Sequence, residues 1–249
     1  MKYKTLLLDV DGTLVGLEDS PIGHDYRLKR SLDVYMERGG EIGLVTGRSE
    51  YYTSAIYEFL GLNGVRIVEM GAGIIMPDNS KIKLTSLENN SEIREFLKTI
   101  GALEIMLEEP KSFMISLILP EFPHHNIRKL KSIYDNIIAK GFLHELPESL
   151  ITVDDYSIDI YNPKSDKGEA IKLYAERTEK NLTEIAIIGD SKGDYPGFKV
   201  IGNSGGFIGY VGLDKEFGQK LKEEFSKLYI AKVKRSSGVV EIIDYLLKD

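Results

Sequence analysis

Two aspartates separated by a single residue follow the first apolar stretch of the chain. Thr5-Leu6-Leu7-Leu8 leads directly into Asp9-Val10-Asp11-Gly12. Side chains two apart on a strand share a face, so Asp9 and Asp11 are predicted to point into one site. Two carboxylates followed by a glycine that permits a tight exit suit one nucleophile and one general acid/base. Two solvated aspartates at a strand end are the competing interpretation of this motif taken alone.

A second pair of aspartates occurs late in the chain, again after an apolar run. Residues 185–188 predict a strand, and Gly189-Asp190-Ser191-Lys192-Gly193-Asp194 follows it. Asp190 and Asp194 are therefore expected at a carboxyl end of the sheet, where the ligand sites of open α/β sheets lie. An acidic loop in contact with solvent explains the same residues equally well when they are taken alone.

Two further segments suit an anionic ligand. Thr46-Gly47-Arg48 ends another predicted strand, where the backbone and the Thr46 hydroxyl suit a phosphate held at a helix N-terminus. Lys167 begins a predicted helix, with Asp166 and Glu169 spaced like a capping box. Taken singly, a capped helix start and a surface lysine are the ordinary interpretations of these two segments.

The order of predicted elements indicates an α/β protein with an inserted unit. Strands are predicted at residues 5–8, 42–45, 65–69, 103–107, 113–119, 151–153, 157–161, 185–188, 207–211 and 229–233; helices are predicted at 49–60, 91–100, 125–140 and 214–226, around 28–36 and 239–247, and from Lys167. Strands separated by helices imply right-handed crossovers and a parallel sheet. Consecutive strands with few helices in the middle of the chain look like a separate α+β unit. We therefore predict a doubly wound parallel core of residues 1–77 and 162–249 and an inserted α+β domain of residues 78–161.

Composition excludes several classes of protein. The net charge of −7 over 249 residues argues against a nucleic acid or an anionic membrane as partner. With no cysteine and only four histidines, a bound metal is expected to be a hard cation on oxygen ligands. No apolar run approaches the roughly 20 residues of a membrane-spanning helix, and the N-terminal residues do not look like a signal peptide. A cytoplasmic protein is expected.

Four segments carry the candidate residues: the one with Asp9 and Asp11, the one with Thr46, the helix start at Lys167, and the one with Asp190 and Asp194. In this order and at strand ends of one sheet, they resemble the four motifs of the haloacid dehalogenase (HAD) superfamily of phosphatases. The resemblance covers most of the chain, and the segment from Asp9 to Leu14 is its most specific part. The long insertion resembles the α+β cap of the Cof-like branch, which includes archaeal phosphoglycolate phosphatases, sucrose-phosphatase and mannosyl-3-phosphoglycerate phosphatase. Residues 59–64 and 69–72 look most like the archaeal phosphoglycolate phosphatases.

The resemblance implies a fold, an activity and a role for each motif residue. It implies a Rossmann-like core, a cap that sets substrate specificity, and hydrolysis of a small phosphorylated metabolite such as phosphoglycolate or a sugar phosphate. The implied catalytic residues are Asp9 as nucleophile, Asp11 as general acid/base, and Thr46 and Lys167 as ligands of the phosphoryl group; Gly12, Gly47 and Arg48 are expected beside the substrate; Mg²⁺ is expected on Asp9, the Asp11 carbonyl and Asp190, with Asp194 as ligand or support.

Electrostatics favours the same cofactor. Like charges at about 4 Å repel by several kcal/mol at an effective dielectric constant of about 20, so four aspartates and a phosphate dianion need counter-charge. Mg²⁺ binds carboxylate and phosphate oxygens and neutralises such charge. Lys167 is expected to add a fixed positive charge to this site, and Arg48 is expected within reach of the phosphate.

Two departures from the family pattern concern polar side chains near the expected site. The branch usually has Asn before the last aspartate of the fourth motif, where this chain has Gly193, and Asn-Gly after the third strand, where it has Met70-Gly71. These two replacements affect how the side chains around the site are held and how the substrate is contacted, more than they affect the nucleophile.

Two other functions are compatible with the same residues. A phosphomutase built on this core would pass the phosphoryl group to a second hydroxyl instead of water. A non-catalytic protein that binds a phosphorylated metabolite is the alternative from another class. For Lys111, Arg128 and Lys131, in the inserted unit, a solvated charged face is favoured over recognition of an anionic substrate.

Overall fold

A computed structural model describes residues 1–15, 26–87, 90–120, 127–153 and 157–248. The strands are β1 (Thr5–Leu8), β2 (Glu41–Val45), β3 (Arg66–Val68), β4 (Gly73–Ile75), β5 (Lys81–Lys83), β6 (Leu107–Glu109), β7 (Ile115–Ile118), β8 (Leu150–Val153), β9 (Ser157–Tyr161), β10 (Ile185–Gly189), β11 (Phe207–Tyr210) and β12 (Leu228–Ile230). The helices are α1 (Tyr26–Glu37), α2 (Glu50–Leu60), α3 (Asn90–Thr99), α4 (Ala102–Ile105), α5 (Ile127–Ala139), α6 (Phe142–Glu145), α7 (Lys167–Arg177), α8 (Tyr195–Asn203), α9 (Lys215–Glu224) and α10 (Arg235–Leu246).

The first unit, residues 1–84 and 166–249, is built on one sheet with the strand order β12-β11-β10-β1-β2-β3-β4-β5. The strands from β12 to β3 run parallel, and β4 and β5 are antiparallel additions at one edge. Alternate side chains of β1 enter two cores: Leu6 and Leu8 pack with α1, α2 and α10, whereas Leu7 packs with α7, α8 and α9. Burial on both faces explains why this strand is continuously apolar. The predicted α/β class with a parallel sheet is confirmed.

The register of the central strands brings three polar loops together. Leu8 of β1 lies opposite Leu44 of β2 and Ile188 of β10. Because the three strands are parallel, the residues after them, including Asp9, Thr46 and Asp190, emerge at the same edge of the sheet.

Local signals set the boundaries of α2. Ser49 is its N-cap, and the Tyr52 amide donates to the Ser49 Oγ at 3.3 Å. The helix ends at Gly61, which has a left-handed φ of 62°. Both boundaries agree with the prediction, because a capping hydroxyl and a glycine act over a few residues only.

A tight turn follows β3. Glu69, Met70 and Gly71 all have positive φ, at 51°, 59° and 92°. The Met70 amide donates to the Thr46 carbonyl at 3.2 Å, and the Glu69 amide donates to the Arg48 carbonyl at 3.0 Å. A Cβ atom on Gly71 would lie 2.4 Å from the Asp166 carbonyl oxygen. The turn therefore contacts both the loop after β2 and the start of α7.

The second unit, residues 85–165, contains an antiparallel sheet with the strand order β6-β7-β9-β8. Its core holds apolar side chains of α3 and α5, such as Ile93 and Leu130, and of one sheet face, such as Leu117 and Ile158. Unit 2 therefore has a hydrophobic core of its own, as an α+β arrangement requires.

Several elements differ from the prediction. The expected strand 103–107 is α4 followed by β6, because Gly101 (φ 74°) starts a helical turn that buries Ala102 and Met106 at a spacing of four. Strands β4 and β5 and helix α8 have no counterpart in the prediction, β12 begins one residue early and ends at Ile230, and the expected helix start at His125 lies outside the described residues.

The units divide at 84/85 and 165/166 rather than at 77/78 and 161/162. Residues 81–83 form β5, which pairs with β4 and so extends the first sheet. At the other boundary, the Asn162 side chain donates to the Ser86 carbonyl, and the Thr85 and Ser165 hydroxyls are 3.0 Å apart. The β4–β5 hairpin and these two contacts between residues 76 and 80 positions apart decide the boundaries.

Across the described ranges, no helix is both long enough and apolar enough to cross a membrane.

Gly71→Ala is expected to lower the free energy of unfolding by about 2–5 kcal/mol, because it adds a backbone clash to a left-handed conformation. Gly39→Ala is the matched control: Gly39 has a φ of 83°, but its added Cβ would meet nothing within 4 Å. The control is expected to lose only about 1–2 kcal/mol. Chemical denaturation of both variants measures the difference, and equal losses would mean that the turn does not hold the start of α7.

Candidate active site

A buried lysine joins the two acidic loops of the first unit. The Lys167 Nζ donates to the Asp9 Oδ1 at 2.9 Å and to the Asp194 Oδ1 at 2.7 Å, and all three side chains are at least 91% buried. Lys167 is the first residue of α7, whose N-cap Asp166 accepts the Glu169 amide at 2.9 Å. Burial alone would lower the pKa of Lys167, but Asp194 and Asp9 raise it above its usual value, so the side chain is an ammonium.

Asp194 organises the loop after β10. Its Oδ2 accepts the Asp190 amide at 3.0 Å and the Ser191 amide at 3.1 Å, while Lys167 donates to its Oδ1. The Gly193 amide donates to the Ser191 Oγ at 3.2 Å, which completes a reciprocal cap. Asp194 and Ser191 therefore order this loop although Gly193 replaces the usual Asn.

Gly12 and Thr13 hold Asp190 beside the first strand. The Thr13 Oγ1 donates to the Asp190 Oδ1 at 3.2 Å. Gly12 has a φ of 79°, and a Cβ atom there would lie 2.2 Å from the Asp190 Oδ2. Gly12 is thus required for the close approach of the Asp190 carboxylate. Thr13 has no predicted role, although its position directly after Asp-x-Asp-Gly is a signal for one.

Asp9, Asp190 and Asp194 form a group with metal-ligand geometry. One carboxylate oxygen from each lies within 4.8 Å of the other two. Burial, repulsion from Asp194 and repulsion from Asp190 raise the pKa of Asp9 well above its usual value, although Lys167 opposes them. Burial and the charge of Asp194 raise the pKa of Asp190 to about 7.

These residues fit Mg²⁺. Burial and neighbouring carboxylates raise the pKa of Asp9 and of Asp190, so their ionised forms need more counter-charge than Lys167 supplies. An all-oxygen donor set of this kind suits a hard divalent cation. Because both Asp194 oxygens already accept hydrogen bonds from protein donors, the Asp9 and Asp190 side chains would be the better ligands of such a cation, with Asp194 as a support.

Asp11 is paired with Arg48, whereas Asp9 is paired with Lys167. The Arg48 Nε donates to the Asp11 Oδ2 at 2.8 Å and the Arg48 Nη2 donates to the Asp11 Oδ1 at 2.7 Å, a two-pronged ion pair that is partly open to solvent. The Arg48 guanidinium also stacks on the Tyr52 ring at 4.8 Å. Arg48 is expected beside the substrate from the sequence; in the structure its guanidinium binds Asp11, the candidate general acid/base.

Thr46 is buried in the loop after β2, where its Oγ1 accepts the Arg48 amide at 3.1 Å. An accepting hydroxyl keeps its own hydrogen for another acceptor. Gly47 lies against Met70, whose Sδ would be 3.0 Å from an added Cβ. Met70, where the branch usually has Asn, thus fills the space beside the loop instead of offering a polar group.

Comparison with known proteins identifies the family. A family model described as haloacid dehalogenase-like hydrolase matches residues 6–118 and 108–205 of the chain. The chain belongs to this family. The resemblance seen in the sequence motifs is confirmed, and so is the expectation of an enzyme of the phosphatase class, which the relatives of this hydrolase support.

The curated relatives of this HAD-like hydrolase include archaeal phosphatases. It is 25% identical to the phosphoglycolate phosphatase of Methanosarcina mazei, over 99% of this chain and 97% of the relative. It is 27% identical to the phosphoglycolate phosphatase of Nitrosopumilus maritimus, over 80% and 81% of the two chains.

Solved structures share the fold of this HAD-like hydrolase. A Thermoplasma acidophilum protein matches 99% of both chains with a TM-score of 0.74 at 19% identity. The sucrose-phosphatase of Synechocystis, solved with sucrose and phosphate, matches 98% of both chains with a TM-score of 0.64 at 17% identity.

Mg²⁺ is expected to raise the melting temperature of the wild-type protein. At a hundredfold excess over Kd the gain is about 2.7 kcal/mol, which corresponds to a shift of about 5–11 °C for a chain of this size. Asp190→Asn should abolish this gain without lowering the melting temperature in EDTA, because it removes charge from a crowded site and its amide oxygen can still accept from Thr13. Asp244→Asn, an exposed aspartate on α10, is the control for charge. A full Mg²⁺ shift in Asp190→Asn, measured by differential scanning fluorimetry, would refute the metal site.

Proposed function

We propose that this enzyme hydrolyses a small phosphorylated metabolite through a phosphorylated Asp9. The observation that carries the proposal is the buried Lys167 ammonium held between Asp9 and Asp194, with Asp190 beside them. Lys167 binds one oxygen of Asp9, so the other oxygen is left to act as nucleophile. A fixed cation and adjacent carboxylates suit phosphoryl transfer, which depends mainly on positioning and charge stabilisation.

The reaction consists of two displacements at phosphorus. In the first, an Asp9 oxygen forms a bond to phosphorus, the ester P–O bond breaks, and Asp11 donates its proton to the leaving alkoxide. In the second, Asp11 takes a proton from water, the water oxygen attacks phosphorus, and the Asp9–phosphorus bond breaks to release inorganic phosphate. Arg48 orients Asp11 for both proton transfers through its two hydrogen bonds.

The phosphoryl oxygens are held by Lys167 and Thr46, with Gly12, Gly47 and Arg48 nearby. Mg²⁺ is proposed on Asp9, Asp190 and the Asp11 carbonyl, with Asp194 as support, and would neutralise charge and orient the phosphoryl group. Asp194 supports this arrangement by holding the Lys167 ammonium and the Asp190 backbone at once.

The substrate is proposed to be a small phosphomonoester, with the inserted unit acting as a cap domain that selects the leaving group. The archaeal relatives named for phosphoglycolate and the structural relative named for sucrose phosphate support the proposed substrate class. A phosphomutase would yield an isomer and a non-catalytic binding protein would yield no product, so free phosphate as the product distinguishes the proposed function from both.

Asp9→Asn is expected to abolish phosphate release from p-nitrophenyl phosphate and from a panel of sugar, glycerol and glycolate phosphates. The amide is a poor nucleophile, but the side chain keeps its shape and Lys167 keeps Asp194, so the fold should remain intact. Phosphate release and circular dichroism are measured together with Mg²⁺ and with EDTA. A folded Asp9→Asn protein with a rate near that of the wild type would rule out this nucleophile.

Arg48→Lys is expected to lower kcat for alkyl phosphates by about tenfold or more, because lysine cannot hold both Asp11 oxygens in one plane. For p-nitrophenyl phosphate, whose leaving group needs little protonation, kcat should fall much less. Arg30→Lys, exposed on α1, is the control. Equal losses for both kinds of substrate in Arg48→Lys would contradict the role given to the Arg48–Asp11 pair.

A further inference from the structure

A groove lies outside the carboxyl ends of β11 and β12 in unit 1. Its volume is about 580 Å³, and its walls are the first two turns of α9 and residues 231–234, which lead into α10. Helix α9 packs in the core that holds Leu7, whereas α10 packs in the core that holds Leu6 and Leu8. Because the helices that follow these neighbouring strands lie on opposite faces of the sheet, they leave a crevice between them, which is where open α/β sheets bind ligands. We call this crevice the α9–α10 groove.

Lysines outnumber acidic residues in the lining of the α9–α10 groove. The lining contains one acidic residue, Asp214, and four exposed lysines, Lys215, Lys222, Lys232 and Lys234. Lys215 and Lys222 are seven positions apart on α9, so they lie on one face of that helix. Lys234 is the N-cap residue of α10, and the positive end of this helix adds to the positive charge there. The groove is therefore basic in a chain whose net charge is −7.

The protein does not supply counter-charge to these four lysines. Among the residues that the structure describes, none of the four ammonium groups has a salt-bridge or hydrogen-bond partner. Asp214 does not serve, because its Oδ1 accepts the Phe217 amide at 2.9 Å and its Oδ2 lies 3.6 Å from the Lys192 Nζ. The groove thus offers unpaired ammonium groups and one carboxylate that is already engaged.

Lysine and arginine side chains predicted to be solvated in the inserted unit show a contrasting case. Arg128 and Lys131 are exposed, as predicted. The Lys111 side chain is only 4% exposed, and its Nζ lies 3.5 Å from the Glu109 Oε2 and 3.7 Å from the Asp159 Oδ1. The expectation of a solvated face is therefore wrong for Lys111, whose ammonium is engaged by protein carboxylates and is not offered to a ligand.

The floor of the α9–α10 groove is largely apolar. Ile230 and Ala231 line it at the end of β12, together with the Tyr210 ring at the end of β11. Gly218, in the middle of α9, brings no side chain to this floor, and a Cβ atom there would lie 3.3 Å from the Tyr210 Cε1. An apolar floor below a row of cations suits a ligand that has an apolar body and an anionic part.

We infer that the α9–α10 groove binds an organic anion that carries at least two negative charges and an apolar body, such as a nucleoside pyrophosphate. The charges pair with the four lysines, and the apolar body covers the floor. The groove binds this ligand without transforming it, because its one carboxylate is already held by Phe217 and Lys192. The inference does not depend on the phosphatase reaction proposed for Asp9.

Titration calorimetry of the full chain in EDTA tests the inference, with ADP-ribose as the probe. The pyrophosphate of ADP-ribose carries two negative charges and is a diester, so the probe is not a phosphomonoester. ADP-ribose is expected to bind about tenfold or more tightly than adenosine, which lacks the charges, and than inorganic pyrophosphate, which lacks the apolar body.

Two double variants each remove the charge of one wall: Lys215→Gln/Lys222→Gln and Lys232→Gln/Lys234→Gln. Each should raise the Kd for ADP-ribose by about three- to tenfold at low salt, because exposed ion pairs contribute modestly and are screened by salt. Lys98→Gln/Lys199→Gln is the matched control, since it makes the same change of charge at exposed lysines of α3 and α8 that do not line the groove. Its Kd should stay within about twofold of the wild-type value.

Three outcomes would overturn the inference. They are binding of ADP-ribose no tighter than that of adenosine, an equal Kd in the groove variants and the control variant, and binding of a hexaglutamate peptide without binding of ADP-ribose. The last outcome would assign the groove to an acidic protein segment. Circular dichroism of each variant checks that the fold is intact. Phosphate release, which the proposed function requires, is measured separately with Mg²⁺, so failure of one leaves the other standing.

Discussion

The Lys167 ammonium, shared by Asp9 and Asp194, is the interaction on which the candidate site depends. In the sequence, Lys167 lies 158 positions from Asp9 and 27 positions from Asp194. Taking an ammonium out of water is expensive, and only well-placed carboxylates repay the loss. The pairing therefore fixes the start of α7 against the ends of β1 and β10, and it gives the site a cation that neither pH nor solvent readily removes.

The surplus of negative charge around this lysine is the second constraint. One carboxylate oxygen from each of Asp9, Asp190 and Asp194 lies within 4.8 Å of the other two. The single positive charge of Lys167 does not balance three ionised carboxylates, and the pKa of Asp9 is raised. Close approach is possible because Gly12 leaves room for the Asp190 carboxylate and Thr13 donates to it. The protein thus maintains an arrangement that is unfavourable by itself and becomes favourable with a divalent cation, as a site for a phosphate dianion requires.

Many of the contacts that hold the loops of the candidate site in place are made by backbone groups. The turn at residues 69–71 places three consecutive residues at positive φ and binds the loop that carries Thr46 and Arg48. Two of these residues are not glycine, so the turn stores strain that neighbouring contacts must offset. In unit 2, one face of the sheet supplies apolar side chains such as Leu117 and Ile158 to the core shared with α3 and α5.

The sequence by itself determined the strand β1, the caps of α2, the alternation that indicates a parallel sheet, and the residue types of the candidate site. These features depend on neighbours within a few positions, where side-chain periodicity and capping act. Only the tertiary structure decided the pairing of Arg48 with Asp11, the support that Asp194 and Thr13 give, the β4–β5 extension, and the burial of Lys111. The pairing of Arg48 with Asp11 and the contacts of Asp194 with Lys167 and of Thr13 with Asp190 join segments that are distant in the sequence, and no local sequence pattern specifies such contacts.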